Sequence, residues 1–262
     1  MDLGLKGRRA LVMGASKGLG RSVADALAEE GVALAISGRN QDTLDRAAAE
    51  LEALGAPKAV GIVADVAEGA QMDRLADAAV AALGGVDILV LNHGGPPTCT
   101  ALEMKQEDLV TWFQRIVLSP IRIANKLLPA MQQQQWGRLI TIASTGVAQP
   151  LPGLALSNTL RSAIVGWNKT LASEVAGQGI TCNIMGPGAF NTDRTKETLA
   201  AASQKTGKSI EALVAERSAA IPVGRYGEPR EFGPMAAFLA SDKAAYTTGR
   251  VHLIDGGVVR GV

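Results

Sequence analysis

Seven short apolar runs alternate with longer amphipathic stretches along this chain, and that alternation limits the folds open to it. The runs are Arg8 to Met13, Val32 to Ser37, Ala59 to Val63, Val86 to Leu91, Arg138 to Ala143, Thr181 to Met185 and Val251 to Ile254. Between them, apolar residues recur at helical spacing. In Gln41 to Leu54 they are Leu44, Ala47, Ala48, Leu51 and Leu54. Helices are also expected over Gly20 to Glu30, Ala70 to Leu83, Asp108 to Met131, Ser157 to Ala176 and Pro229 to Leu239. Strands that are apolar throughout must be covered on both faces, so the pattern predicts a parallel sheet between two helix layers. This is an α/β, Rossmann-type doubly wound architecture, and 262 residues suit a single domain of that kind. Ligands of such sheets bind at the carboxyl ends of the strands.

Composition removes several other functions. Lys plus Arg is 26 and Asp plus Glu is 25, so no basic surface for nucleic acid is expected. The chain has 4 Phe, 3 Trp and 2 Tyr, too few for base-stacking platforms. No apolar run approaches the roughly 20 residues of a membrane span. Met1 to Lys6 has no apolar stretch behind its charges, so a secretory leader is not expected. Cys99 and Cys182 have neither disulfide nor metal-ligand spacing, which fits a reducing cytoplasm. Gln132 to Gln135 reads as a solvated helix end. The Ala-, Lys- and Thr-rich segment 191–225 breaks the alternation and is expected to form a lid over a substrate.

The first run enters Gly14-Ala15-Ser16-Lys17-Gly18-Leu19-Gly20, where a strand becomes a helix. A pyrophosphate needs this arrangement: close backbone approach and free N–H groups at a helix N-terminus. After the second run, an NAD site offers a carboxylate to the ribose 2′-hydroxyl. Here the stretch is Ser37-Gly38-Arg39-Asn40, and Lys17 adds a second cation from the glycine turn. Two cations fit a 2′-phosphate, so the expected cofactor is NADP(H). Asp65-Val66 after the third run falls where an adenine would lie. Asn92, His93 and Gly94 follow the fourth run. Pro187, Gly188 and Thr192 follow the sixth, with the Thr192 hydroxyl in reach of a carboxamide.

These pieces, with Ser144 and Asp255-Gly256-Gly257, make the chain resemble the short-chain dehydrogenase/reductase family over nearly its whole length. Gly224-Arg225-Tyr226-Gly227-Glu228-Pro229 is similar to the 3-oxoacyl-carrier-protein reductase branch. The resemblance implies a sheet of order 3-2-1-4-5-6-7, carbonyl reduction or alcohol oxidation, and a homotetramer or homodimer. It also implies four catalytic residues: Asn, Ser, Tyr and Lys. Ser144 matches the Ser, but Ile116 falls at the Asn, Ser157 at the Tyr and Arg161 at the Lys. Neither Tyr226 nor Tyr246 can slip into the Tyr position. Tyr226 reads as a structural ring behind the lid, and Lys169 has no Tyr four residues before it.

A Ser hydroxyl is a far weaker acid than a phenol, and Arg does not shuttle protons. Three readings therefore stay open. The first is an oxidoreductase with an altered proton donor, in which Ser144 and Ser157 clamp a carbonyl oxygen and water or His93 supplies the proton. The second is a catalytically silent dinucleotide-binding sensor or assembly protein. The third is a dehalogenase-like reaction using Arg161. Pro96, Pro97, Pro150 and Pro152, with Leu151, Leu154 and Leu156, suggest an apolar small-molecule carbonyl or alcohol substrate. His252, inside the last run, reads as structural.

Overall fold

Pairing of the seven apolar runs builds one parallel sheet. The computed structural model describes residues 1–261. Its strands are β1 (Arg9–Val12), β2 (Ala33–Gly38), β3 (Ala59–Val63), β4 (Ile88–Leu91), β5 (Gly137–Ile142), β6 (Ile180–Pro187) and β7 (Val251–Ile254). Their spatial order is β3-β2-β1-β4-β5-β6-β7. The sequence reverses direction across β1 and β4, where Val12 pairs with Ile36 on one side and Val90 on the other. A crevice opens at that switch point, above the strand ends.

The helices are α1 (Gly18–Glu29), α2 (Gln41–Leu54), α3 (Gly69–Leu83), α4 (Gln106–Phe113), α5 (Ser119–Gln133), α6 (Ala155–Val175), α7 (Asp193–Thr206), α8 (Ile210–Ala219) and α9 (Gly233–Ala240). One face of the sheet packs on α1, α2 and α9 through Val23, Leu27, Leu44, Leu51 and Leu239. The other packs on α3, α5 and α6 through Met72, Leu75, Ile123, Leu127 and Val175. Burial on both faces explains why strands such as Ile88–Leu91 are apolar at every position.

One expectation needs correction. The single helix over Asp108 to Met131 is two helices joined by a π-helical turn, Gln114–Leu118. Pro120 has no N–H to bond back to Ile116, and the Ser119 N–H reaches Gln114 instead, which widens the turn. Within the segment 191–225 lie two helices, α7 and α8, each opened by a hydroxyl cap, Thr192 and Ser209. Leu199, Leu213, Ile221 and Tyr226 pack into a small cluster of their own beneath them. Tyr226 is thus a core ring of this segment, and Tyr246 is fully exposed.

Below the sheet, Asp87 ties β4 to β1. Its carboxylate accepts from Arg9 Nε at 2.9 Å and Nη2 at 2.7 Å, and from Gln134 Nε2 at 3.1 Å. Burial alone would raise the Asp87 pKa, but the Arg9 hydrogen bonds and charge outweigh it and hold it below the usual value. A depressed carboxylate stabilises the fold above the unfolded pKa and loses that contribution as pH falls through the folded one. Asp87→Ala is expected to cost about 2–3 kcal/mol at pH 7. In urea unfolding, its deficit relative to wild type should shrink at pH 3; an equal deficit at both pH values would refute the ion-pair account.

Candidate active site

The glycine turn is shaped by contacts that only glycine tolerates. Gly14 and Gly18 have φ of +59° and +66°, in the left-handed region. A Cβ on Gly20 would run into the Gly14 carbonyl and come within 2.6 Å of Asn92 Nδ2. Asn92 Nδ2 donates to the Gly14 carbonyl at 3.2 Å, so the end of β4 braces the turn after β1. Together these hold the α1 N-terminus open above the crevice.

The crevice has two joined compartments that share Gly14, Lys17, Arg39, Asn92, His93, Gly94, Gly95 and Arg194. The inner one adds Gly18, Leu19, Ile142, Ala143, Arg161, Pro187 and Thr192. The outer one adds Ser16, Ser37, Gly38, Asp65, Val66, Trp112 and Arg115. Thirteen of the seventeen residues singled out from the sequence therefore meet at one site. Gly20 stands behind the turn. Gly188 packs on the Asp255 backbone at the end of β7. Ser144 and Ser157 stand behind the lining residues.

The side chains at the inner end are firmly tied. Ser144 Oγ accepts from the Gly146 N–H at 3.0 Å. Arg161, on α6, donates from Nε to Ser157 Oγ at 3.2 Å and from Nη1 to the Ile142 carbonyl at 3.1 Å. Among the described residues, no carboxylate pairs with it. Burial pushes the Arg161 pKa down to about 10, which leaves it charged at neutral pH. Because Ser157 Oγ already accepts from Arg161, its own O–H remains free to donate.

His93 is corrected as a proton donor. Its Nδ1 lies 2.8 Å from the Gly94 carbonyl, and a carbonyl only accepts, so Nδ1 carries the hydrogen. Nε2 then presents a lone pair, buried and without a partner. Burial, and then the nearby Arg161 charge, push the His93 pKa down to about 3. The ring is neutral at physiological pH and can accept, not donate, at Nε2.

Ile116 is buried with Val117, Leu156 and Leu160, an apolar cluster where an Asn was expected by resemblance. Leu156 faces that cluster too, and of the loop residues read as apolar walls only Pro97 lines the crevice. Lys169 packs beside Gly249, away from the crevice. Among the wall residues not singled out from the sequence are Trp112, Arg115, Asp193, Arg194 and Glu197. Arg194 lies on α7 and donates to the Pro96 carbonyl at 3.1 Å. Arg115 directly precedes Ile116, and that adjacency was the only signal for it. Lys17 Nζ meets Asp193 of α7 at 3.2 Å, across the crevice mouth.

A sheet of this order with a glycine turn at its switch point defines a dinucleotide-binding enzyme fold. Comparison with known proteins narrows the class. The family model described as Enoyl-(Acyl carrier protein) reductase matches residues 14–259. The 3-oxoacyl-[acyl-carrier-protein] reductase FabG of Escherichia coli (strain K12) is 32% identical over 256 residues, spanning 98% of this chain and 99% of that one. L-Sorbose reductase from Gluconobacter frateurii, solved with NADPH and L-sorbose, has a TM-score of 0.94 at 29% identity, with 100% of both chains covered. An actinorhodin polyketide ketoreductase variant solved with NADPH has a TM-score of 0.91 at 30% identity, covering 97% of this chain and 98% of that one. The chain belongs to the short-chain dehydrogenase/reductase family of oxidoreductases, in its 3-oxoacyl-carrier-protein reductase-like branch.

Proposed function

We propose that the protein is an NADP(H)-dependent oxidoreductase that reduces a carbonyl, or oxidises the matching alcohol, with Arg161 and Ser157 in place of the family's Lys and Tyr. The observation that carries this reading is a buried guanidinium, with no carboxylate partner among the described residues, facing a crevice whose glycine cradle is intact. The cradle fits a dinucleotide pyrophosphate, since only a glycine at position 20 lets the α1 N-terminus pack this close to the Gly14 carbonyl. Gly14 to Gly20 would hold the pyrophosphate, Lys17 and Arg39 the 2′-phosphate, and Asp65 and Val66 the adenine. Asn92, Gly94, Pro187 and Thr192 would flank the nicotinamide half. When bound, NADPH supplies the hydride.

The protein's own residues then handle charge and protons. Arg161 stabilises negative charge that develops on the carbonyl oxygen, where a low-dielectric wall makes the interaction strong. Ser157 Oγ accepts from Arg161 Nε and steadies the guanidinium that faces this oxygen. His93 Nε2 accepts from a water or substrate hydroxyl. The proton itself comes from water. The segment 191–225 acts as the lid, held by Arg194 on Pro96. Copies of the chain pair through exposed apolar residues, Val110, Phe113 and Leu118 on one side and Val251 and Leu253 on the edge strand.

The test is turnover of a panel of ketones, aldehydes and 3-oxoacyl thioesters with each nicotinamide. NADPH should bind at least about tenfold more tightly than NADH, and Arg39→Ser should remove most of that preference. Tighter NADH binding by the wild type would overturn the cofactor assignment. The mutual bonding of Ser157 and Arg161 also favours a second reading, a dinucleotide-binding protein without redox chemistry. Turnover in a Ser157→Tyr, Arg161→Lys double variant, with none in a wild type that binds NADPH, would select it.

A further inference from the structure

The adenine end of the crevice has a second wall. Arg115 and Trp112 line the outer compartment with Asp65 and Val66, and none of the four borders the inner compartment. Lys17 and Arg39 reach that space from the glycine turn and the end of β2. Arg115 reaches it from the π turn between α4 and α5. That turn is bonded to the segment expected at the adenine: Ser119 Oγ donates to the Val66 carbonyl at 2.7 Å, and Gln114 Nε2 donates to Ser119 Oγ at 3.0 Å. A Cβ built on Gly69 would lie 3.2 Å from Gln114 Nε2, so the packing continues along residues 65–69.

Arg115 stands there with its Nε buried and without a hydrogen-bond partner. Its guanidinium carbon lies 5.0 Å from the Trp112 ring centroid, so an aromatic ring backs the cation. A buried donor left unsatisfied is costly, and a ligand that engages it is favoured. A flat guanidinium stacks on aromatic faces as well as donating, and a purine base offers both a π face and acceptor nitrogens. Asp65, in the same wall, tells base from phosphate. Its Oδ1 accepts from the Ala67 N–H at 2.9 Å, which leaves Oδ2 without a partner among the described residues. That oxygen can accept from an adenine amine, and it repels a phosphate.

We propose that Arg115, backed by Trp112, binds the adenine base of the dinucleotide and not its 2′-phosphate. This rests on the dinucleotide-binding reading of the crevice and adds a residue to it. The two ends of the adenosine then have separate cations. Lys17 and Arg39 answer the phosphate and so set the choice between NADP(H) and NAD(H). Arg115 answers the ring, which both dinucleotides share, and adds affinity without choosing between them. The nicotinamide half and the substrate lie at the inner end, beyond the reach of this wall.

Binding of NADP⁺, NAD⁺ and adenosine 2′,5′-bisphosphate is measured by calorimetry, which needs no turnover; the bisphosphate lacks the nicotinamide half. Arg115→Met should weaken all three by a similar factor, about tenfold, and leave the ratio of NADP⁺ to NAD⁺ affinity as in the wild type. One site per chain should remain, which separates a weaker site from a misfolded protein. Arg115→Lys keeps the charge without the flat fork and should recover little of the loss. Arg39→Ser is the contrast, since it should lower the ratio itself. A loss confined to NADP⁺ and the bisphosphate, and restored by Arg115→Lys, would make Arg115 a phosphate ligand and overturn the proposal. So would wild-type affinity of both Arg115 variants for all three ligands. A wild type that binds none of the three would overturn the dinucleotide reading, and this proposal with it.

Discussion

Arg161→Met is expected to make the ligand-free protein more stable and to disable it. Arg161 is 8% exposed and has two hydrogen-bond acceptors, Ser157 Oγ and the Ile142 carbonyl, but no counter-charge among the described residues. Its lowered pKa reports the cost of keeping that charge out of water. Met keeps the length of the stem and removes the desolvated cation. Replacing a buried charge with a well-packed apolar side chain is often stabilising by about 1–4 kcal/mol. One consequence opposes the gain: Ser157 and the Ile142 carbonyl each lose a donor, which costs about 1 kcal/mol apiece. The expected net is a Tm higher by a few degrees. Turnover should fall by about 10²–10³-fold, the usual cost of losing one donor to a developing oxyanion. Arg161→Lys separates charge from geometry, since it keeps the cation but not the two-point anchoring. A destabilised Arg161→Met protein with unaltered kcat would show that Arg161 is a structural residue.

Gly20→Ala carries the second large effect, in the opposite direction for stability. The added Cβ meets the Gly14 carbonyl, a backbone atom with nowhere to go, and lies 2.6 Å from Asn92 Nδ2. Relief requires α1 to move off the sheet or the Asn92 brace to break. A cost of about 2–3 kcal/mol follows from overpacking of this kind. NADPH affinity should fall by at least about 100-fold, because the α1 N–H groups no longer point at one place. Gly166→Ala is the matched control. It sits on α6 with open space around its Cβ direction, and should stabilise by about 0.5–1 kcal/mol. Calorimetry and NADPH fluorescence titration on the two variants check both statements. A Gly20→Ala protein that binds NADPH normally would remove the cradle argument.

Much of this molecule was legible because its signals are local. The helix over Gln41 to Leu54 was read with its observed ends, since its apolar stripe is regular and Asn40 caps it. The strand runs were found to within two residues, because burial on both faces keeps most of their positions apolar. The turn at Gln114 to Leu118 was not legible: its period hardly differs from an α-helix, and its cause, a missing N–H at Pro120, has other outcomes elsewhere. Most of the residues expected to hold a cofactor line one crevice, a gathering that could be read because each piece sits directly after a strand. The catalytic end could not. Whether His93 gives or takes a proton depends on one contact with Gly94, and Arg115 owes its position to Trp112 and to a turn anchored on Val66. Those relations exist only in three dimensions.

The bond between Lys17 and Asp193 joins the glycine turn to the first residue of α7 across the crevice mouth. Both side chains are more than half exposed, at 68% and 55%, so the pair is worth under about 1 kcal/mol. A phosphate arriving at Lys17 offers a denser charge than one carboxylate and displaces it cheaply. With Lys17 as the proposed phosphate ligand, dinucleotide entry would be an exchange of partners: Lys17 would leave Asp193 for the phosphate and α7 would be unfastened at its first residue, free to settle afterwards.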